Sequence, residues 1–264
     1  MDTLLANQGI VRTTIFAFLC LSLIALETIF PRRKPQLAKG NRWLINFGFS
    51  GINIIFMRLI LPIGLASVAA KFYGQFGLLI WLQLNWFVEL CLALILLDFA
   101  IYWQHRLFHK LPLLWAFHKF HHSDQDLDAS SALRFHPGEM LFSLAYKIAL
   151  IFALGLHPAS ILIFEILLSS FALFNHANWN IGGADKYLQR AIVTPDMHRL
   201  HHSVDDDETQ RNFGFCLSLW DRLFRTYKNH PEMPMETLPI GLADQQTRRE
   251  AGFLHHLSAP FRRS

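Results

Sequence analysis

A chain of 264 residues that is 52% hydrophobic and 17% charged, with a mean hydropathy of +0.26, falls well short of the roughly 25% charge of a soluble domain, and its apolar excess lies in long runs. Its net charge of +4 is not laid out as a basic stripe with interleaved aromatics, which argues against a nucleic-acid surface. Cys20, Cys91 and Cys216 are isolated, with no C-x-x-C; this argues against a disulfide framework, a thiolate zinc site and an iron–sulfur cluster, and reads them as small buried hydrophobes.

Five hydrophobic segments follow in chain order. The first, about Ile10 to Phe30, is long enough to cross a bilayer. It has no basic region before it and no small-residue cleavage site after it, so a retained anchor is expected rather than a signal peptide. Arg32, Arg33, Lys34, Lys39 and Arg42 come next and read as a topology signal. The second segment, about Trp43 to Ala70, contains Pro62 and Gly64, where a kink is expected. The third runs from Leu78 to about Trp103. The fourth and fifth, about Leu141 to Leu154 and Ala159 to Phe174, are joined by the turn Gly155-Leu156-His157-Pro158 and are short enough to dip into the bilayer instead of crossing it.

Placing the basic loop in the cytoplasm puts the N-terminus outside. By parity, the chain after Trp103 and the polar tail from about Asn175 to Ser264 then emerge on the cytoplasmic side, together with every histidine cluster. His157 falls on the opposite side. Asp205-Asp206-Asp207-Glu208 reads as a solvated loop. The expected fold is all-α: an integral membrane, multi-pass helical bundle under a cytoplasmic, histidine-rich helical cap.

Of fourteen histidines, eight fall into three motifs. His105 and His109 form H-x-x-x-H; His118, His121 and His122 form H-x-x-H-H, and His198, His201 and His202 repeat it. Residues three or four apart share a helix face, so each motif is expected to aim two or three imidazoles at one point. Imidazole suits iron, zinc, copper or nickel alike. Eight ligands exceed the four of a structural zinc, and the count suits two metals. Asp98, Tyr102, His105 and His109 form one helical stripe. An acid at membrane depth needs a partner: Asp98 is expected either to accept an N–H from a ligand imidazole or to make a helix-packing hydrogen bond with no part in the metal site.

The order of these motifs, with the last one following a hydrophobic hairpin, resembles the fatty acid hydroxylase/sterol desaturase superfamily of membrane histidine-motif di-iron oxygenases. The surroundings match as well, in the stretches Asp98–Arg106, Leu114–His118, Ala132–Pro137, Asn175–Asn178, Thr194–His198, Asn212–Gly214 and Trp220–Phe224. The resemblance implies two non-haem iron ions held mainly by histidine, activating O2 to hydroxylate or desaturate a lipid C–H bond, with hydroxylation the first choice. By position it implies His105, His109, His118, His121, His122, His198, His201 and His202 as ligands, with His176 at the end of the hairpin as a ninth. Some members carry H-x-x-x-H there, whereas Asn180 stands four places after His176, which leaves the ligand number open. His136 is a further candidate, as ligand, supporting group or cap, and Asp196 is grouped with it and Asp98. Arg134 and Arg199 are candidates either to steer a lipid headgroup or to pair with Glu139 or Asp196.

On this reading residues 1–90 form an N-terminal transmembrane anchor region, 91–230 the catalytic domain and 231–264 a cytoplasmic tail. No haem or iron–sulfur motif is visible, so electrons are expected from a separate donor, a reductase with a ferredoxin or a b-type cytochrome; the substrate is a membrane lipid, and no nucleic acid is involved. Two other readings use the same histidines: a membrane metal-handling protein, disfavoured because only Asp98 and Glu165 were found within the later segments, and a zinc-dependent lipid hydrolase, disfavoured by the surplus of histidines.

Overall fold

The computed structural model describes residues 6–245 and 252–261. Among the described residues every element is helical: α1 (Gln8–Ile29), α2 (Lys39–Ile60), α3 (Leu65–Phe72), α4 (Trp86–Lys110), α5 (Pro112–His122), α6 (Pro137–Leu154), α7 (Pro158–His176), α8 (Pro195–His201) and α9 (Phe253–Ser258), with single turns between them. Five stretches are long and apolar enough to cross a membrane: α1, α2 together with α3, α4, α6 and α7. The chain is an integral membrane protein.

The expected kink at Pro62 is a full break, because Leu61 to Gly64 leave the helix between α2 and α3. The third segment also divides. Leu78–Trp81 is a separate turn, and α4 starts afresh where Asn85 caps it, its Oδ1 accepting from Val88 N–H at 3.1 Å. It then runs past Trp103 to Lys110, so the membrane helix itself delivers His105 and His109. Helices α6 and α7 are longer than their apolar cores, since His136 and His157 cap them and a proline opens each. Their 18 and 19 residues give roughly 27–28 Å at 1.5 Å per residue, enough to traverse a core about 30 Å thick with little mismatch. Gly155 ends α6 in the left-handed conformation, φ +67°, and a Cβ there would lie 2.6 Å from the Phe76 carbonyl oxygen.

Helix α7 is the centre of the bundle, touching α1, α3, α4, α8 and the 3-10 turn Ala129–Leu133. Ala66, Ala69 and Ala93 sit among Leu79, Leu97 and Leu162 in the largest buried cluster; small residues let helix backbones approach where lipid supplies no hydrophobic drive. Glu165 on α7 pairs with Arg12 of α1 at 2.9 Å. Lys147 on α6 stands within this electrostatic group, so Asp98 and Glu165 are not the sole charges in the later segments.

The basic loop is more than a topology signal. Arg42 is buried and holds Asp124 and Asp128, at 2.7 and 2.9 Å. Arg32 pairs with Asp196 at 2.9 Å, and buried Arg33 donates to the Leu238 carbonyl at 2.6 Å. Two other readings need correction. Cys91 is exposed on the outside of α4 rather than buried, and within the acidic run Glu208 is buried and accepts from Glu232 N–H at 2.7 Å.

Candidate metal centre

All nine histidines singled out by the motifs and the hairpin meet in one buried chamber, in two groups. His105, His109, His118, His122 and His201 form the first; His121, His176, His198 and His202 form the second. Within each group the nitrogens lie within 4.8 Å of one another. The H-x-x-H-H motifs do not aim at one point, as spacing alone suggested. Each divides: His118 and His122 turn to the first group and His121 to the second, while His198 and His202 turn to the second and His201 to the first. The reason is helical. Positions i and i+4 differ by about 40°, whereas i+3 and i+4 diverge by about 100° at 3.6 residues per turn.

The placement of these side chains is set locally. Leu111 closes α4, and Pro112, which lacks an N–H, opens α5 without loss, so the two helices form a tight corner. Thr194 caps α8, its hydroxyl accepting from Met197 N–H at 3.4 Å, with Pro195 at the first helical position. Asn212 and the Phe213-Gly214 turn bring a carbonyl to His105. Asp221 accepts from Phe213 N–H at 2.8 Å and from Gly214 N–H at 2.7 Å, and a Cβ at Gly214 would fall 2.6 Å from that carboxylate. Burial pushes the Asp221 carboxyl up to about 6, against these stabilising donors.

Proton positions follow from the partners. A carbonyl only accepts, so Nδ1–H must donate from His105 to Phe213 (2.9 Å), His121 to Arg134 (3.2 Å), His176 to Ala172 (2.7 Å) and His201 to Arg211 (2.7 Å). In the neutral ring the opposite nitrogen, Nε2, is then a bare lone pair. Yet His105 and His201 bring their Nε2 atoms to 3.0 Å, and His121 and His176 bring theirs to 3.1 Å. Two lone pairs at that separation repel unless a cation lies between them. Both nitrogens of His109 and of His122, and Nε2 of His118, are buried with no hydrogen-bond partner, a costly arrangement without a ligand. Burial first, then the neighbouring imidazoles, drive His121, His122, His198 and His202 far below the ordinary histidine range, and His201 to about 3. In these five rings burial thus favours the neutral form, the state a metal requires. The donor set fits a pair of imidazole-bound metal ions, and five nitrogens in the first group exceed zinc's usual four.

Three other candidates are not in these groups. Asp98 accepts no imidazole proton. It takes Cys216 N–H at 3.1 Å, Leu217 N–H at 3.2 Å and Trp220 Nε1–H at 2.8 Å, the packing role rather than the metal role. It thereby steadies the segment that carries Asp221. His136 is a cap: its Nδ1 accepts from Gly138 N–H at 3.0 Å and its Nε2–H donates to the Leu257 carbonyl at 3.0 Å. Asp196 is taken by Arg32 at 2.9 Å and acts on Arg199 only through its charge. Arg199 donates instead to Asn178 Oδ1 at 3.0 Å, and Arg134 to the Phe120 carbonyl, Asn46 and Ser123. Arg134 does not pair with Glu139. The Glu139 carboxylate sits 2.7 Å from His118 Nδ1, a carboxylate–imidazole contact of the kind that was one of two roles expected of Asp98. Its position three places after a capping histidine, in the first turn of a helix, was the available signal.

The model of the family described as fatty acid hydroxylase matches residues 90–226. The chain belongs to that family. Among the relatives found, the ornithine lipid hydroxylase OlsE of Rhizobium tropici is 33% identical over 175 residues, 66% of this chain and 51% of that protein. The alkylglycerol monooxygenase of Homo sapiens is 30% identical over 138 residues, 51% of this chain and 29% of the human protein. A cholesterol 25-hydroxylase-like protein of Danio rerio is 29% identical over 140 residues, 52% of this chain and 55% of its own length. The chain thus spans about half the length, or less, of these hydroxylase-family relatives. No solved structure matches it. The matched region contains all nine histidines together with Asp98, Glu139 and Asp221.

Proposed function

We propose that this protein is a membrane-bound oxygenase with two iron ions, which uses O2 to hydroxylate a C–H bond of a membrane lipid. The carrying observation is the pair of histidine groups, whose proton-free Nε2 atoms face one another at 3.0 and 3.1 Å inside a buried chamber. The relatives named as hydroxylases and monooxygenases favour hydroxylation over desaturation and iron over zinc. Bound iron would supply the reduction of O2, which no amino-acid side chain performs. Balance requires O2, two electrons and two protons to give the lipid alcohol and water, so a separate reductase partner, through a ferredoxin or a b-type cytochrome, delivers the electrons.

The chain's own part is to hold and orient. Backbone carbonyls fix four imidazole tautomers, and the buried walls keep the chamber dry. The apolar faces of α4 and α7 bring the histidines to the membrane boundary, where a lipid chain is at hand. We assign residues 91–230 to catalysis and 231–264 to a tail. Residues 1–90 anchor the protein and also buttress the site, because buried Glu27 of α1 accepts from Ala129 N–H and Asn178 N–H, both at 3.0 Å. The histidine chamber and the tail are assigned to the cytoplasmic side.

The test is metal analysis of the full chain in detergent, paired with lipid turnover under labelled O2. Two irons per chain and one labelled oxygen atom in the lipid product support the proposal; chelation should abolish turnover and Fe(II) restore it. A single zinc with O2-independent turnover would overturn it.

A further inference from the structure

Where an imidazole of this chamber rests its Nδ1 on the protein, the partner is a backbone carbonyl in four cases: Phe213, Arg134, Ala172 and Arg211. His118 differs. Its Nδ1 lies 2.7 Å from Glu139 Oε1, and both side chains are buried, at 3% and 5% exposure. A carbonyl offers a dipole, whereas a carboxylate offers a whole charge, and hydrogen bonds to charged partners are roughly twice as strong.

The surroundings hold this contact in place. His136 caps α6 and Pro137 opens it, which sets the direction of the first turn. Glu139 lies in that turn, where the unpaired N–H groups of a helix start favour a negative charge. Gly138 presses α6 against α5 so closely that a Cβ would stand 2.4 Å from the ring of Phe117, the residue preceding His118. The two partners are therefore brought together by both helices, 21 residues apart in sequence.

We propose that Glu139 is a positioning residue for the metal centre. By accepting the Nδ1 proton of His118 it leaves Nε2 free for the ion. It also gives the five-histidine group an electron-rich ligand hydrogen-bonded to a carboxylate, a direct contact found for no histidine of the four-histidine group among the described residues, where Asp124 and Asp128 act on His176 only from a distance. The inference rests on the proposed two-metal function and adds to it that the two ions are electronically unequal, the more oxidised state being favoured in the five-histidine group.

The decisive variant is Glu139→Gln, which keeps the shape and an acceptor for Nδ1–H but removes the charge. In the full chain loaded with iron, metal content should stay at two per chain, while one of two Mössbauer components moves and the other does not. The ferric-to-ferrous ratio at fixed potential should fall about tenfold, equal to a rise of 59 mV for a one-electron couple. A wild-type spectrum and potential in this variant overturn the inference. Should Glu139→Gln fail to accumulate, Glu139→Asp keeps the charge with a shorter reach; it should lose metal retention about tenfold with the potential held, and wild-type retention overturns the inference. Cobalt(II) loading separates this from the function itself. Unchanged ligand-field bands in the variant defeat the role of Glu139 whatever reaction the protein performs, while absent iron or absent O2-dependent turnover in the wild type defeats only the oxygenase reading.

Discussion

The two histidine groups occupy one chamber but are built differently. The five-histidine group takes four members from the continuous corner of α4 and α5, and only His201 comes from far along the chain. The four-histidine group takes His121 from α5, His176 from α7, and His198 and His202 from the α8 region, so it is drawn from three helices that no single tight corner joins. The first is largely local, with a spare ligand and a carboxylate behind it. The second depends on tertiary packing and has nothing in reserve. A structure of this kind should fail first at the group assembled from afar.

Removing one ligand from each group tests this most severely. His176→Ala reduces the second group to three histidines and is expected to lose one iron per chain and on the order of 100-fold or more in turnover, beyond what a supporting group alone would cost. His109→Ala leaves four in the first group and should retain both irons, with about a tenfold loss. Equal iron loss in the two variants would erase the contrast between the groups. The measurements are iron per chain and turnover in the same detergent.

A smaller effect is expected from the ion network beneath α5. Arg42→Met strands the buried carboxylates Asp124 and Asp128, a change of about 3–5 kcal/mol when one partner of a buried pair is lost. Thermal unfolding in detergent should report it. Because this loop follows the motif that serves both groups, iron should be lost from both together; loss from one alone would show the network to be local. The mildest change is Thr194→Ala, which removes the cap of α8 and should cost about 1 kcal/mol. His198 and His202 lie in one group and His201 in the other, so half-loss of iron on mild heating should be shared between them, and a one-sided loss would count against α8 as a common support.

Much of this was legible in the sequence, for identifiable reasons. Apolar runs report a bilayer directly, so four of the five spans and the interruption at Pro62 were readable, whereas the third span, expected from Leu78 to Trp103, runs from Trp86 to Lys110 because the Asn85 cap restarts the helix. The histidine motifs marked the chamber, because helical spacing is a short-range property. Their division into two groups needed only the 100° step between adjacent positions. The partners were not legible. Asp98 meets Cys216 and Trp220 across nearly the whole length of the matched region, Arg42 meets Asp124 from another helix, and Glu139 reaches His118 because two helices touch at Gly138. Spacing cannot show which charge meets which across such separations, so it did not reveal that Arg32, Arg33 and Arg42 of the basic stretch also serve as internal struts.

The division of each H-x-x-H-H motif between the two groups also bears on assembly. Helices α5 and α8 each reach toward both positions, so an ion captured at one fixes the axial rotation of both helices and thereby presents the remaining imidazoles to the other. If two ions bind as proposed, loading would be a linked process, in which the first ion would do the ordering and the second would arrive at a nearly finished cage. Half-filled chains should be scarce at limiting iron, and apo and fully loaded protein should coexist instead.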